Sequence, residues 1–531
     1  MSRIWRAGRN CVPGLWSNGG SSVFGSTGTN ALRIGMAGVI ALALLALVGV
    51  LAFCDSEPDQ KRTSAPTPSA AGCAGVLDDS TQECLGPVTD SATLDPAIRD
   101  VAEKILVSNR EVGAQARRYV RVVLLTPLSI APKPAASAMS LEPITFSLQG
   151  AYVALRRANT SSAFGDQNAP AVQLLLVNQG SRQPALDALV PAIVALGDAE
   201  HPVVAVVGLG SSFTGTEGVA SALSQRGIPM VGAVTSATSL NAERYSTFHS
   251  VSPSNDDYAM SLKDLLDKNP DTLPRNGIVV YDQNKDPYPL TLTEAFTSVL
   301  KGYLKAPPQA FAGGTVGNPA MPNVFSPVVT NLCNAVADDA IKLQMVFYAG
   351  RVADFPSLAA ALRERTCRSH PLTIMVGATG FQLSPQQVNL LDEANVSVIW
   401  ASSADAPAWI GRRPGTPAGF ADFLKAYHVD EKFPSDNLND GYAVMYHDAV
   451  ASAVKAIRMA TGRDNLPGAA DVQTQFSNLT LAHKVAGASG TLSFGGRANG
   501  DGRATGKVVM YRQLGKTGPR LPANVPPYLT P

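Results

Sequence analysis

PVVAVVGLGSSFTGTEGVASALSQRGIPMVGAVTSATSL, from Pro202 to Leu240, decides the fold of this chain. It holds an apolar run (Val203 to Val207), a Gly/Ser loop, a stretch with helical spacing, and a second apolar run (Pro229 to Val234). Continuous apolar runs bounded by turn residues predict parallel strands covered on both faces. In such sheets ligands sit beyond the carboxyl ends of the strands, where helix N-termini leave backbone donors unpaired. The two loops after these runs, Gly210-Ser211-Ser212 and Thr235-Ser236-Ala237-Thr238, carry hydroxyls and suit a small anion. The same Ser and Thr also suit helix caps.

The alternation continues on both sides. Further strands are expected at Val120 to Thr126, Val172 to Val177, Gly277 to Tyr281, Met345 to Tyr348, Leu372 to Val376 and Val396 to Trp400. Helices are expected between them, for example Gln183 to Leu196, Asp256 to Asp267 and Asp354 to Arg365. Strands alternating with helices argue for βαβ units and an α/β fold with parallel sheets. Earlier, Ile98, Val101, Ile105 and Val107 give Leu94 to Gly113 the spacing of an amphipathic helix. Tyr245 to Asp257, YSTFHSVSPSNDD, reads as an extended crossover into a second unit. Near the end, GASGTLSFGGRANGDGRATGKVVMYRQL predicts two strands joined by a turn at Asn499 to Gly502, and the Pro-rich tail 514–531 is expected to be disordered.

With 531 residues the chain exceeds one ordinary domain. Its net charge of +1 and 16% charged residues, with no basic stripe, argue against a nucleic-acid partner. Ile34 to Phe53 is an uncharged apolar run long enough to span a bilayer. Arg3, Arg6, Arg9 and Arg33 precede it and Asp55, Glu57 and Asp59 come after, so the positive-inside rule places residues 1–33 in the cytoplasm as a tail and the body outside. Three fates stay open for this run: a retained single-pass anchor in the cell membrane, a cleaved signal, or a lipoprotein signal ending at Cys54. Residues 54–118 read as a linker with a disulfide loop and a helix. Export agrees with four cysteines beyond the membrane, for which Cys73–Cys84 and Cys333–Cys367 are the local pairings. The six histidines show no metal-ligand spacing, and no metal or cofactor is expected.

Taken in order, VVLLTPLS, VVAVVGLGSS, GIPMVGAVTSATSL, FHSVSPSNDD, IVVYDQNKDPY, VFYAGR, DGYAVMYHDAV and GASGTLSFGG resemble the type I periplasmic binding proteins. The likeness is to the branched-chain amino-acid (Leu/Ile/Val) receptors of ABC importers, over about Tyr119 to Gln513. It implies two α/β lobes joined by three crossovers, 119–249 with 404–485 and 250–403 with 486–513, that close on a ligand. By the same resemblance Ser212, Ser236 and Thr238 hold the ligand's carboxylate and ammonium, Ser129 lies at the mouth, and Tyr288 closes over the ligand from the second lobe. Two departures bear on the ligand. Thr379, in Gly377-Ala378-Thr379-Gly380, stands where such receptors carry an acid, and Arg351 stands where an aromatic is common. An Arg in the cleft suits an anionic group, so the expected ligand is a small carboxylate-bearing solute other than free Leu, Ile or Val.

Enzyme motifs do not emerge. GLGSSFTGTEG lacks the third Gly of a dinucleotide loop and the Lys of a P-loop, and there is no GxSxG. The expected function is capture of a solute for delivery to an ABC permease. The competing reading is a membrane-anchored ectodomain that reports ligand occupancy to a signalling partner.

Overall fold

The computed structural model describes residues 75–531 except 79–80, 116–117, 132–136, 167–168, 185–188, 315–320, 322, 463–464 and 496–499. Residues 1–33, expected as a cytoplasmic tail, the apolar run Ile34 to Phe53, Cys54 and Cys73 lie outside the described residues. Among the described residues no helix is long and apolar enough to cross a membrane.

Seven strands build the first sheet: β1 (Val76–Asp78), β2 (Glu83–Pro87), β3 (Tyr119–Thr126), β4 (Ala171–Asn178), β5 (Val203–Gly208), β6 (Met230–Gly232) and β7 (Phe248–Ser250). They run in the order β1-β2-β4-β3-β5-β6-β7. From β4 to β7 all neighbours are parallel, as continuous apolar runs demand. Alternation along β3 shows why both faces must be covered. Val120, Val122 and Leu124 enter one core with helices Leu141–Thr160 and Tyr442–Ala460, while Val123 and Leu125 enter another with helix Thr214–Gln225.

The second sheet holds β8 (Gly277–Asp282), β9 (Gln309–Phe311), β10 (Met345–Ala349), β11 (Leu372–Gly377), β12 (Val396–Ser402), β13 (Val485–Ala486), β14 (Gly490–Ser493), β15 (Thr505–Leu514) and β16 (Tyr528–Leu529). Its order is β13-β14-β15-β12-β11-β10-β8-β9, with β16 beside β15. β8 to β12 pair in parallel and β15 adds antiparallel to β12. Cys333 and Cys367 are bridged in this lobe, as the local pairing expects. Cys84 is also disulfide-bonded.

Three expectations need correction. The stretch 75–114 does more than link, since β2 pairs with β4; helix Pro96–Ala114 packs Ile98, Val101 and Ile105 against the first lobe, as its amphipathic spacing leads one to expect. The tail after 514 is not disordered, because β16 pairs with β15 while Leu521, Val525 and Tyr528 pack on the second core. The final hairpin straddles the lobes instead of belonging to the second alone. Leu492, Val508 and Met510 enter the first core, and Val509 and Tyr511 the second.

Candidate functional site

Three consecutive left-handed residues come at the end of β5: Gly208, Leu209 and Gly210 have φ of 98°, 65° and 58°. Glycine adopts such angles freely, and Leu209 is held there by the hydrogen bond that its amide donates to the Leu125 carbonyl at 2.7 Å. Buried Gln183 braces the turn. Its Oε1 accepts from the Ser211 amide at 2.9 Å, and its Nε2 donates to the carbonyls of Leu209 and Ser211, each at 3.2 Å. Gln183 is therefore a loop residue with φ of 47°, not the helix start the sequence suggests; the helix there is Leu189–Val194. The turn presents Ser212, whose Oγ accepts from the Ala237 amide at 3.2 Å and so ties the loop after β5 to the loop after β6.

A cavity of about 920 Å³ lies between the lobes, at the carboxyl ends of both sheets. Ser212 and Ser236 line it from the first lobe, and Tyr288, Arg351 and Thr379 from the second. Ser236 has no side-chain hydrogen bond among the described residues, although its carbonyl accepts from the Asn255 amide at 2.8 Å. Tyr288 donates to the Gly377 carbonyl at 3.4 Å, and burial pushes its phenol up to about 12.

Two expected residues are not in the lining. Thr238 turns to the contact between the lobes, where its amide donates to Thr291 Oγ1 at 3.2 Å and its own Oγ1 is buried without a partner. Ser129 donates to Glu83 Oε2 at 2.5 Å and accepts from Asn178 Nδ2 at 3.2 Å, so it anchors the N-terminal hairpin to β4.

Arg351 is in the cleft, yet it is not a free cation. It pairs with Asp286 at 3.2 Å, donates to the Ser212 carbonyl at 3.3 Å, and lies 3.7 Å from the ring centroid of Phe213. The guanidinium thus joins the lobes with its charge committed to Asp286, which removes the basis for expecting an anion there. Thr379 Oγ1 is 3.0 Å from the Tyr258 hydroxyl and 2.8 Å from Ser403 Oγ, in a hydroxyl cluster behind the wall.

The sequence reading misses two acids that line the cavity. Asp354 is 5% exposed; its Oδ1 accepts from the Gly314 amide at 3.0 Å, and its Oδ2 is buried without a partner. Burial raises its pKa to about 6; neighbouring Asp282 adds to the rise, while the Gly314 bond and Arg351 oppose it. Asp440 is 3% exposed and accepts from the Tyr442 amide at 2.9 Å, with no cation paired to it among the described residues. Burial, reinforced by Glu142, raises it to about 7 against the Tyr442 bond. Asp354 reads in sequence only as the first residue of an expected helix. Asp440 precedes Gly441, whose φ of 85° opens helix Tyr442–Ala460. The Asn439-Asp440-Gly441 turn was the only local signal for it.

No protein-family model and no curated protein matches this chain. Solved structures do resemble it. A leucine-binding protein from Thermotoga maritima superposes with a TM-score of 0.53 at 14% identity, covering 74% of this chain and 94% of that one. A branched-chain amino acid ABC transporter protein from Thermus thermophilus with bound valine gives 0.53 at 12% identity, covering 78% and 98%. An ABC transporter substrate-binding protein from Desulfitobacterium hafniense in complex with Leu gives 0.50 at 16%, covering 75% and 97%. The likeness establishes the two-lobed α/β fold of type I periplasmic binding proteins.

Proposed function

We propose that this protein is an extracytoplasmic solute-binding protein that captures a small polar ligand between its lobes and delivers it to an ABC importer. One observation carries the reading: the interlobe cavity is lined from both lobes by polar side chains, Ser212 and Ser236 from one and Asp354 from the other, and the buried Oδ2 of Asp354 has no protein partner. An unpaired buried carboxylate oxygen costs stability unless something bonds it. The similar structures, named as binding proteins of amino-acid transporters, support the same use of the fold. The bridged Cys333 and Cys367 support an oxidising compartment, and Ile34 to Phe53 supplies the membrane attachment.

The ligand donors differ from the sequence expectation. The cleft lacks an uncommitted cation among its described lining residues, so the ligand contributes positive charge to Asp354, and the hydroxyls of Ser212 and Ser236 meet its polar remainder. The test is mass spectrometry of small molecules released on denaturing the purified full chain, beside a Ser212→Trp variant that fills the cleft. Near-stoichiometric release from the parent and loss in the variant is expected. Equal release from both would refute the site.

A further inference from the structure

Among the described residues, the charged ones lining the cleft are Glu142, Asp354, Asp440 and Arg351, and Arg351 is neutralised by Asp286. The cavity is therefore acidic, and its two buried acids come from different lobes. Asp354 lies just after β10 in the second lobe, whereas Asp440 precedes helix Tyr442–Ala460 of the first. Neither has an ion-pair partner among the described residues, and Asp354 Oδ2 lacks even a hydrogen bond.

Two aromatic residues, Tyr442 and Tyr288, also line the cavity. Tyr442 is fixed by Gly380, which has φ of 79° and approaches so closely that a Cβ there would meet Tyr442 Cε2 at 2.3 Å. Aromatic faces suit methylene stems and cationic nitrogens. The volume of about 920 Å³ is at the upper end of the roughly 300–1,000 Å³ of small-molecule pockets. An extended ligand fits such a space better than a compact one.

We infer that the cleft takes an extended small molecule with two positively charged nitrogen groups, of the diamine or polyamine class, one group at Asp354 and the other at Asp440. This inference rests on the cleft being the solute site. Two acids on separate lobes also give such a ligand a means of holding the lobes together, because each charge is recognised by a different lobe.

The test is calorimetric titration of the purified full chain, dialysed free of ligand, at pH 8. The probes are cadaverine, spermidine, butylamine, leucine and glutarate. Cadaverine or spermidine is expected to bind saturably and at least about tenfold more tightly than butylamine, which carries one charge. Asp440→Asn is expected to weaken the diamine about tenfold or more and to leave butylamine within about twofold, whereas Asp354→Asn weakens both. Melting curves that match the parent establish that each variant is folded. Equal affinity for butylamine and cadaverine, or an Asp440→Asn variant that binds cadaverine like the parent, overturns the inference. Saturable binding of leucine or glutarate with cadaverine and spermidine both silent also overturns it, but leaves the cleft a solute site. Silence of every probe overturns it too, and if denaturation also releases no small molecule, the solute-site reading falls with it.

Discussion

Arg351→Ala should separate the lobes. The guanidinium belongs to the second lobe with its partner Asp286, but its bond to the Ser212 carbonyl and its stacking on Phe213 reach the first. Those two contacts exist only while the lobes are together. Stacking on a partly desolvated ring is worth about 0.5–2 kcal/mol. The hydrogen bond, at 3.3 Å, belongs at the low end of the charged-donor range, about 1.5 kcal/mol. Their loss, about 2–3.5 kcal/mol, should raise the ratio of open to closed molecules roughly 30- to 350-fold. Arg351→Lys should fall between, because it keeps the charge beside Asp286 but loses the planar face. Hydrogen exchange of the peptide spanning Ser211 to Thr216 in the ligand-free protein is the assay. Faster exchange is expected in Ala, less in Lys, with melting temperatures changed little. Unchanged protection in Arg351→Ala would show that the guanidinium is not what joins the lobes.

Arg503→Met should cost about 3–5 kcal/mol in denaturant unfolding, since a guanidinium only 1% exposed donates to the carbonyls of Thr235, Ala237, Leu240 and Ser252. A loss under about 1 kcal/mol would contradict a bracing role for it in the loop after β6. Cys333→Ser should lower stability by about 3–4 kcal/mol in the chain-entropy picture, and non-reducing peptide mapping of the parent should recover the Cys333–Cys367 pair. The share of ligand-free stability due to Asp354 and Asp440 should fall as pH rises from about 4 to about 7. Asp354 and Asp440, raised to about 6 and about 7, contribute stability that is complete below their unfolded values near 4 and is lost as they ionise in the fold. The groups facing Asp440 are Glu142, Tyr427 and Tyr442. Buried His249, lowered to about 4, works on the acid side, where stability is lost as pH falls from about 6.5. Asp440→Asn should remove its share of the fall between about pH 4 and pH 7 in a series of melting curves and leave the opposing contribution of His249, and an unchanged slope between about pH 6.5 and 7 would contradict this assignment.

The strands were legible because parallel sheets leave continuous apolar runs, and each of the eight expected runs lies on an observed strand. The loops after β5 and β6 were legible for the same reason, since the end of a strand locates the loop beyond it. Side-chain direction was not. Thr238 is two residues from Ser236, yet one faces the interlobe contact and the other the cavity, a difference set by packing against Thr291. Ser129 sits beyond a true strand end, but Glu83, 46 positions earlier, captures its hydroxyl. The fate of Arg351 depended on Asp286, 65 positions away, and on Phe213 in the other lobe. Local sequence carries no trace of such pairings.

The charge arrangement links occupancy to closure. Asp354 and Asp440 are buried with no cation supplied to either, so whatever desolvation closure adds to them opposes closure of the empty protein. Arg351 acts in the other direction, through Phe213 and the Ser212 carbonyl. A ligand shifts such an equilibrium only by its differential affinity for the two states. A cation does this directly, because its attraction to a carboxylate grows as the site is desolvated. An anion would instead have to displace Asp286 from Arg351 while facing two acids, and would oppose closure. On this electrostatic argument the proposed closure is favoured by positive charge, through residues far from the Gly/Ser loops that first suggested an anion.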